Sequence, residues 1–141
     1  MVIRIIVEGG VVGDDPTLGS KTNMMIRRNS AALREALHNF FVKAVGTDDI
    51  DMRITVGGSY SSAFKRFVIS TDVDFCYVDL DDKPENRESW FVKMKEEHHV
   101  DCTIGQHDHV FFWIPEMEAW FLKQPECIKV WAVNEGYKGH F

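Results

Sequence analysis

The hydrophobic and polar positions of the chain alternate between two periods. Val2-Ile3-Arg4-Ile5-Ile6-Val7 is β-branched and nearly continuous, as a strand buried on both faces would be. Glu8-Gly9-Gly10 interrupts it, and residues 9–22, rich in Gly, Asp and Pro, read as a loop. From about residue 23 to residue 45 the pattern is helical. Leu33, Ala36, Leu37, Phe40, Phe41 and Ala44 share one face, with Arg34, Glu35 and Lys43 off it. Gly46 is a natural C-terminal stop. Asp51–Val56 alternates Met52, Ile54 and Val56 and reads as a second strand. Gly57-Gly58-Ser59 is a turn before a short helix with Phe64, Phe67 and Val68 on one face. Val73–Leu80 is a third strand. Pro84 fits the first turn of the next helix, Glu85 and Glu88 suit its positive end, and Trp90, Phe91 and Met94 form its apolar stripe. His109–Ile114 is a fourth strand, ended by Pro115, and Glu116–Leu122 begins a last helix.

Strands and helices in strict alternation predict an α/β fold: a parallel sheet of about four strands with helices on both faces. The ligand site of such a sheet lies beyond the carboxyl ends of its strands. Composition fits one ordinary domain: 141 residues, 45% hydrophobic and 27% charged, enough for a core without staples. No apolar run is long enough for a membrane span. Three cysteines without a CxxC spacing, behind an N-terminus that carries Glu8 where a signal peptide is still apolar, predict reduced thiols and a cytoplasmic protein.

Charge sharpens the picture. The net charge of −6 argues against a bulk-basic nucleic-acid coat protein. Yet residues 1–70 hold nine Lys/Arg against seven Asp/Glu, while residues 71–141 hold seven against fifteen. The acids concentrate where strands end: Glu8 after the first, Asp79-Leu80-Asp81-Asp82 after the third, Glu116-Met117-Glu118 after the fourth. In an extended chain Asp79 and Asp81 point the same way. Carboxylates gathered on one rim repel and raise one another's pKa, and a hard cation such as Mg²⁺ (or Mn²⁺) relieves that cost. Capping of helices and solvation of strand ends is the competing reading. The bases of the first half include Lys21, Arg27, Arg28, Arg34, Lys65 and Arg66. Arg27, Arg28, Lys65 and Arg66 are candidates for holding a nucleic-acid backbone without reading its sequence, against the plainer reading of a solvated helix face. Gly57-Gly58-Ser59 is equally an anion-binding helix start or a turn with a Ser cap.

Val7-Glu8-Gly9 after one strand and Val78-Asp79-Leu80-Asp81 after the third resemble the TOPRIM fold of topoisomerases, primases and OLD-type nucleases. That fold places a glutamate after strand one and Asp-x-Asp after strand three. The chain is most similar to the prokaryotic TOPRIM-like family filed as domain of unknown function 4276. The Phe40-Phe41 helix, the Gly57-Gly58-Ser59 turn leading to Phe67, and Met117-Glu118-Ala119-Trp120-Phe121-Leu122 carry that likeness across most of residues 2–125. The resemblance implies a TOPRIM-like (Rossmann-like) domain over residues 1–125. Residues 126–141 would be a tail or the start of a truncated helical extension. It makes Glu8 a general base or metal-positioning acid, Asp79 and Asp81 Mg²⁺ ligands, and Glu118 a further site acid. It implies metal-dependent phosphodiester processing of DNA or RNA, in prokaryotic mobile-element defence beside a partner ATPase. Two departures, the apolar Gly10-Val11-Val12-Gly13 stretch and an end about twenty residues after Leu122, motivate a second expectation. In it the domain is a non-catalytic subunit binding an ATPase or nucleic acid.

Other motifs add less. Gly9-Gly10-Val11-Val12-Gly13 is not a dinucleotide fingerprint, and Gly19-Ser20-Lys21-Thr22 breaks the P-loop order. His98, His99, Cys102, His107 and His109 match no zinc-finger spacing. Ser59, Ser61 and Ser62 form no nucleophile elbow. A phosphoacceptor receiver domain is a third possibility. It would need paired acids after strand one, where only Glu8 stands, and a lysine after a fifth strand.

Overall fold

A computed structural model describes residues 1–10, 13–46, 49–114, 123–134 and 136. The β-branched run forms β1 (Val2–Val7), followed by a long helix α1 (Ser20–Val45). Then come β2 (Asp51–Val56), α2 (Tyr60–Ile69), β3 (Phe75–Asp79), a 3₁₀ turn (Pro84–Asn86) and α3 (Arg87–His98). A one-turn helix α4 (Ile104–His107), β4 (Val110–Trp113) and α5 (Pro125–Asn134) follow. The four strands form one all-parallel sheet in the order β2-β1-β3-β4. The fold is therefore α/β and Rossmann-like, as the alternation of periods predicts.

The pleat sorts side chains to two cores. Ile5, Val7, Met52 and Ile54 pack with Leu37 and Phe41 of α1 on one face. Ile6, Cys76 and Val78 pack with Ala63, Phe64 and Phe67 of α2 and with Trp90, Phe91 and Met94 of α3 on the other. Burying Phe64 and Met94 almost completely contributes roughly 1.5–3 kcal/mol each. The β1-α1-β2 unit winds one way along the sheet on one face. The β2-α2-β3 crossover skips β1 and winds back on the other. The strand order therefore reverses between β1 and β3, and the site of a doubly wound sheet lies in the crevice at that reversal.

Element boundaries depart from the periodic pattern in explicable places. α1 starts at Ser20 rather than near residue 23. Buried Asn23 ties the preceding loop down: its Oδ1 accepts the Asp15 N–H at 3.1 Å, and its Nδ2 donates to the Asp15 carbonyl at 3.0 Å. β3 is shorter than Val73–Leu80: it begins two residues later, at Phe75, and stops at Asp79, and beyond that end Asp81 takes a left-handed backbone, φ 55°, out of the extended chain. α4 escapes a search for long apolar periods, yet Thr103-x-x-Gln106 is a full capping box. α1 stops at Gly46 in the left-handed conformation, as expected. The expected helix Glu116–Leu122 lies outside the described residues. α5 occupies the beginning of the segment expected to be a tail or helical extension, with Pro125 in its first turn. No described helix is long and apolar enough to cross a membrane.

Candidate functional site

β1 ends one residue before Glu8, and the pairing of β1 with β3 runs out at the same level. The Glu8 backbone N–H still donates to the Tyr77 carbonyl at 2.8 Å. The next inward-facing donor of β3 is the Asp79 N–H. Strand one supplies no carbonyl there, and the Glu8 side chain turns across to replace it: Oε2 accepts the Asp79 N–H at 2.8 Å. An unpaired backbone donor at this half-buried place would be costly, so the bond closes the ladder. It also sets the Glu8 carboxylate beside Asp79, at the crevice where the strand order reverses.

The loops around this point are held by backbone. Gly9 and Gly58 exchange bonds, N–H to carbonyl, at 2.7 Å and 3.0 Å, so the chain leaving β1 is tied to the chain leaving β2. Gly9 does this at φ +118°, where a side chain would also meet Leu33. Gly57 donates to the Val7 carbonyl at 2.7 Å, and a Cβ there would stand 2.6 Å from that of Ala63. Ser59 then caps α2, its side chain accepting the Ser62 N–H at 3.3 Å. The Ser-cap reading of this turn is what the structure displays.

The other expected acids are placed differently. Leu80 is buried and donates to the Trp113 carbonyl, which anchors the chain after β3 to β4. Asp81 follows in its left-handed conformation and is exposed, so pleat alternation no longer relates it to Asp79. It borders a cleft of about 350 Å³ with Asp82, Asn86, Trp90, Lys93 and Glu97. Asp82 accepts from Asn86 Nδ2 at 2.9 Å and from the Lys83 N–H at 2.7 Å, which holds its carboxyl below the usual range. Glu118 lies outside the described residues, as does the rest of the Met117–Leu122 segment. Among the described residues, no three His, Cys, Asp or Glu side chains are placed to hold a common metal ion. The structure thus brings Glu8 and Asp79 together and leaves Asp81 at the outer edge. Two carboxylates still suit Mg²⁺, which keeps most of its waters and commonly takes one or two protein carboxylates beside substrate phosphates.

The four candidate phosphate-binding bases do not share a surface. α1 has 26 residues, about 39 Å of helix against about 20 Å of strand, so it overhangs the sheet. Ser30 and Leu33 of α1 lie level with Gly10 and Gly9. The turns before them, with Arg27 and Arg28, therefore stand beyond the carboxyl rim. Arg27 Nη1 donates to both carboxylate oxygens of Asp14, at 2.8 Å and 2.9 Å, and Arg28 is exposed. Lys65 and Arg66 sit on α2 across the sheet. Lys65 is exposed, and Arg66 faces a separate cleft, its Nη1 3.5 Å from the Val56 carbonyl.

The histidines disperse. His98 hydrogen-bonds the Tyr60 hydroxyl at 3.0 Å, His107 stacks on Phe91 with centroids 3.9 Å apart, and His109 Nδ1 meets the Asp74 carbonyl at 2.9 Å. His99 closes α3 in the left-handed conformation. A receiver site would need a fifth strand, and the sheet of the described residues has four. Sequence reasoning passed over Arg4 and Arg53, because β1 and β2 read as core strands. Their signal was one arginine in the middle of each, at positions whose pairing only strand register reveals. Comparisons with protein-family models, with curated proteins and with solved structures each returned no significant match.

Proposed function

We propose that the rim between β1 and β3 is a Mg²⁺-dependent phosphodiester-processing site on a TOPRIM-like domain, acting on DNA or RNA. The observation that carries this reading is the Glu8 carboxylate drawn across the strand-reversal crevice to Asp79. Glu8 and Asp79 would hold the ion, with Asp81 at the entrance and Glu118 as a further acid. A bound Mg²⁺ would polarise a phosphoryl oxygen and orient the attacking water. The protein's own part is positional. Gly9 and Gly58 fix the rim, and the Asp79 N–H fixes one oxygen of Glu8. The other oxygen would serve as metal ligand or proton acceptor. Arg27 and Arg28 on the overhanging turns of α1 would meet the flanking backbone phosphates. Arg27 can exchange its exposed Asp14 partner for phosphate at little cost, since such pairs contribute about 0–1 kcal/mol.

The test is incubation of the protein with labelled single- and double-stranded DNA and RNA in Mg²⁺ or Mn²⁺. Cleavage is expected, and Glu8→Gln or Asp79→Asn should abolish it. No cleavage, or cleavage indifferent to both substitutions, overturns the proposal.

A second reading has its own support. Glu8 closes the β1–β3 ladder, a structural duty that needs no metal. The domain would then be a non-catalytic subunit that binds nucleic acid or a partner ATPase. Calorimetric titration separates the two: Mg²⁺ or Mn²⁺ binding that Asp79→Asn removes favours the first, and no heat of binding favours the second.

A further inference from the structure

Among the described residues, the sheet face covered by α2 and α3 is closed over β3 and β1 but open toward β2. There the register of the parallel pair sets Arg4 directly beside Arg53. Both belong to the set that alternates away from α1, with Ile6 and Thr55 one step further along. Like charges side by side on neighbouring strands are unfavourable. A third cation joins them: Arg66 of α2 borders the same cleft, with Thr55, Ser70 and Asp72. The cleft holds about 300 Å³, within the size of small-ligand sites.

The charges around it are only partly matched. Arg53 bonds Asp51 through Nε at 3.1 Å and Nη2 at 2.9 Å, a pair more than half exposed. Asp72 borders the cleft, accepts from the Ser70 hydroxyl and also feels the charge of Arg4. The Asp74 carboxylate accepts the Arg4 backbone N–H at 2.7 Å, and Asp74 borders a different cleft, beside His109. Among the described residues, Asp72 in the lining and the Arg53-bound Asp51 stand against three arginines, which leaves the cleft an excess of positive charge that favours an anion.

We infer that this Arg4–Arg53–Arg66 cleft binds a phosphate monoester, apart from the strand-end rim. Guanidinium groups fork onto phosphate oxygens, and an oxyanion with three or more acceptors can engage several at once. A carboxylate has two oxygens and engages several guanidinium groups at once less well. Ile6 and Val73 give the cleft apolar wall for the group esterified to the phosphate. The same chemistry is offered by a free nucleotide-sized phosphoester and by the 5′-phosphate end of a nucleic acid.

The experiment titrates the whole chain with AMP, adenosine, and one oligonucleotide carrying either a 5′-phosphate or a 5′-hydroxyl. Amide NMR and calorimetry follow binding in EDTA, so that failure here leaves the Glu8–Asp79 proposal untouched. AMP is expected to bind and adenosine not to. The shifts should centre on Arg4, Arg53, Thr55 and Arg66 rather than on Glu8 and Asp79. Arg53→Ala and Arg66→Ala should each weaken binding at least about tenfold, the loss expected of one charge-assisted donor group. Asp72→Asn should strengthen binding, and Lys43→Ala, on α1, should leave it unchanged. Circular dichroism checks that each variant is folded, and either arginine variant alone suffices. Equal affinity for AMP and the phosphorylated oligonucleotide assigns the free phosphoester. A clear preference for the phosphorylated over the hydroxyl oligonucleotide and over AMP assigns the nucleic-acid end. No binding at millimolar AMP overturns the inference, as does binding that neither arginine variant weakens.

Discussion

Glu8 carries two roles that one substitution can separate. Gln keeps an oxygen able to accept the Asp79 N–H but removes the charge. Ala removes both. Glu8→Gln should therefore unfold in urea near the wild-type midpoint, while Glu8→Ala should lose about 1.5–3 kcal/mol, the worth of a hydrogen bond to a charged group. If Gln also retains full metal-dependent cleavage, Glu8 is a ladder closure only. Two thiols give a second residue-scale prediction. Burial pushes the Cys76 thiol up, with the Glu8 charge adding to it, and pushes Cys102 up to about 11. The thiolate is the reactive form, so at a given pH below both pKa values the thiol with the higher pKa labels more slowly. Iodoacetamide should label both slowly at about pH 8, and by about pH 10 Cys102 should label readily while the more deeply buried Cys76 still labels far more slowly. Peptide mapping distinguishes them from Cys127. Prompt labelling of native Cys76 at neutral pH would contradict its place in the core.

Elements here depend on close approach at their ends. The turn between β2 and α2 runs so near the helix that a methyl group at Gly57 would press on Ala63. Gly57→Ala should cost about 1–3 kcal/mol, read as a lowered denaturation midpoint with unchanged slope. Ser59→Ala next to it removes only the cap of α2 and should cost about 1 kcal/mol. The smaller effect at Ser59 would show that the turn is set by packing against α2 more than by the cap. Most element positions were legible from periodicity: β1 and β2 match their runs residue for residue, and α1 ends at Gly46. Less legible were the ends held by long-range bonds. Asn23 lengthens α1 through a loop it reaches by side chain, and Asp81, beyond the end of β3, takes a backbone state that no hydropathy pattern encodes.

Across the molecule, three aspartates on different elements share one property. Asp15 is held below its ordinary value by Thr17, Asp72 by the Ser70 hydroxyl and Asp82 by Asn86. Each therefore binds its proton less readily in the folded chain than in the unfolded one. Their stabilisation is fully present above the unfolded value of 3.8 and is lost as pH falls through the lower folded values. The melting temperature should drop on acidification below about pH 4, and the drop should be shallower in a variant with all three changed to Asn. Identical acid profiles would remove these groups as a cause.

The sequence alone determined the alternation of strands and helices, the parallel sheet that follows from it, and the arrival of Glu8 and Asp79 at one rim. These are properties of short windows: side-chain period, turn residues, and the handedness of the crossover. The tertiary structure alone decided which charges meet. It set Arg27 and Arg28 beyond the rim on one face and Arg66 across the sheet, and it turned Asp81 outward. It also paired Arg4 with Arg53, 49 positions apart in the chain, through the register of β1 on β2. Register arises from the pairing and packing of whole strands, so no single window of the sequence contains it.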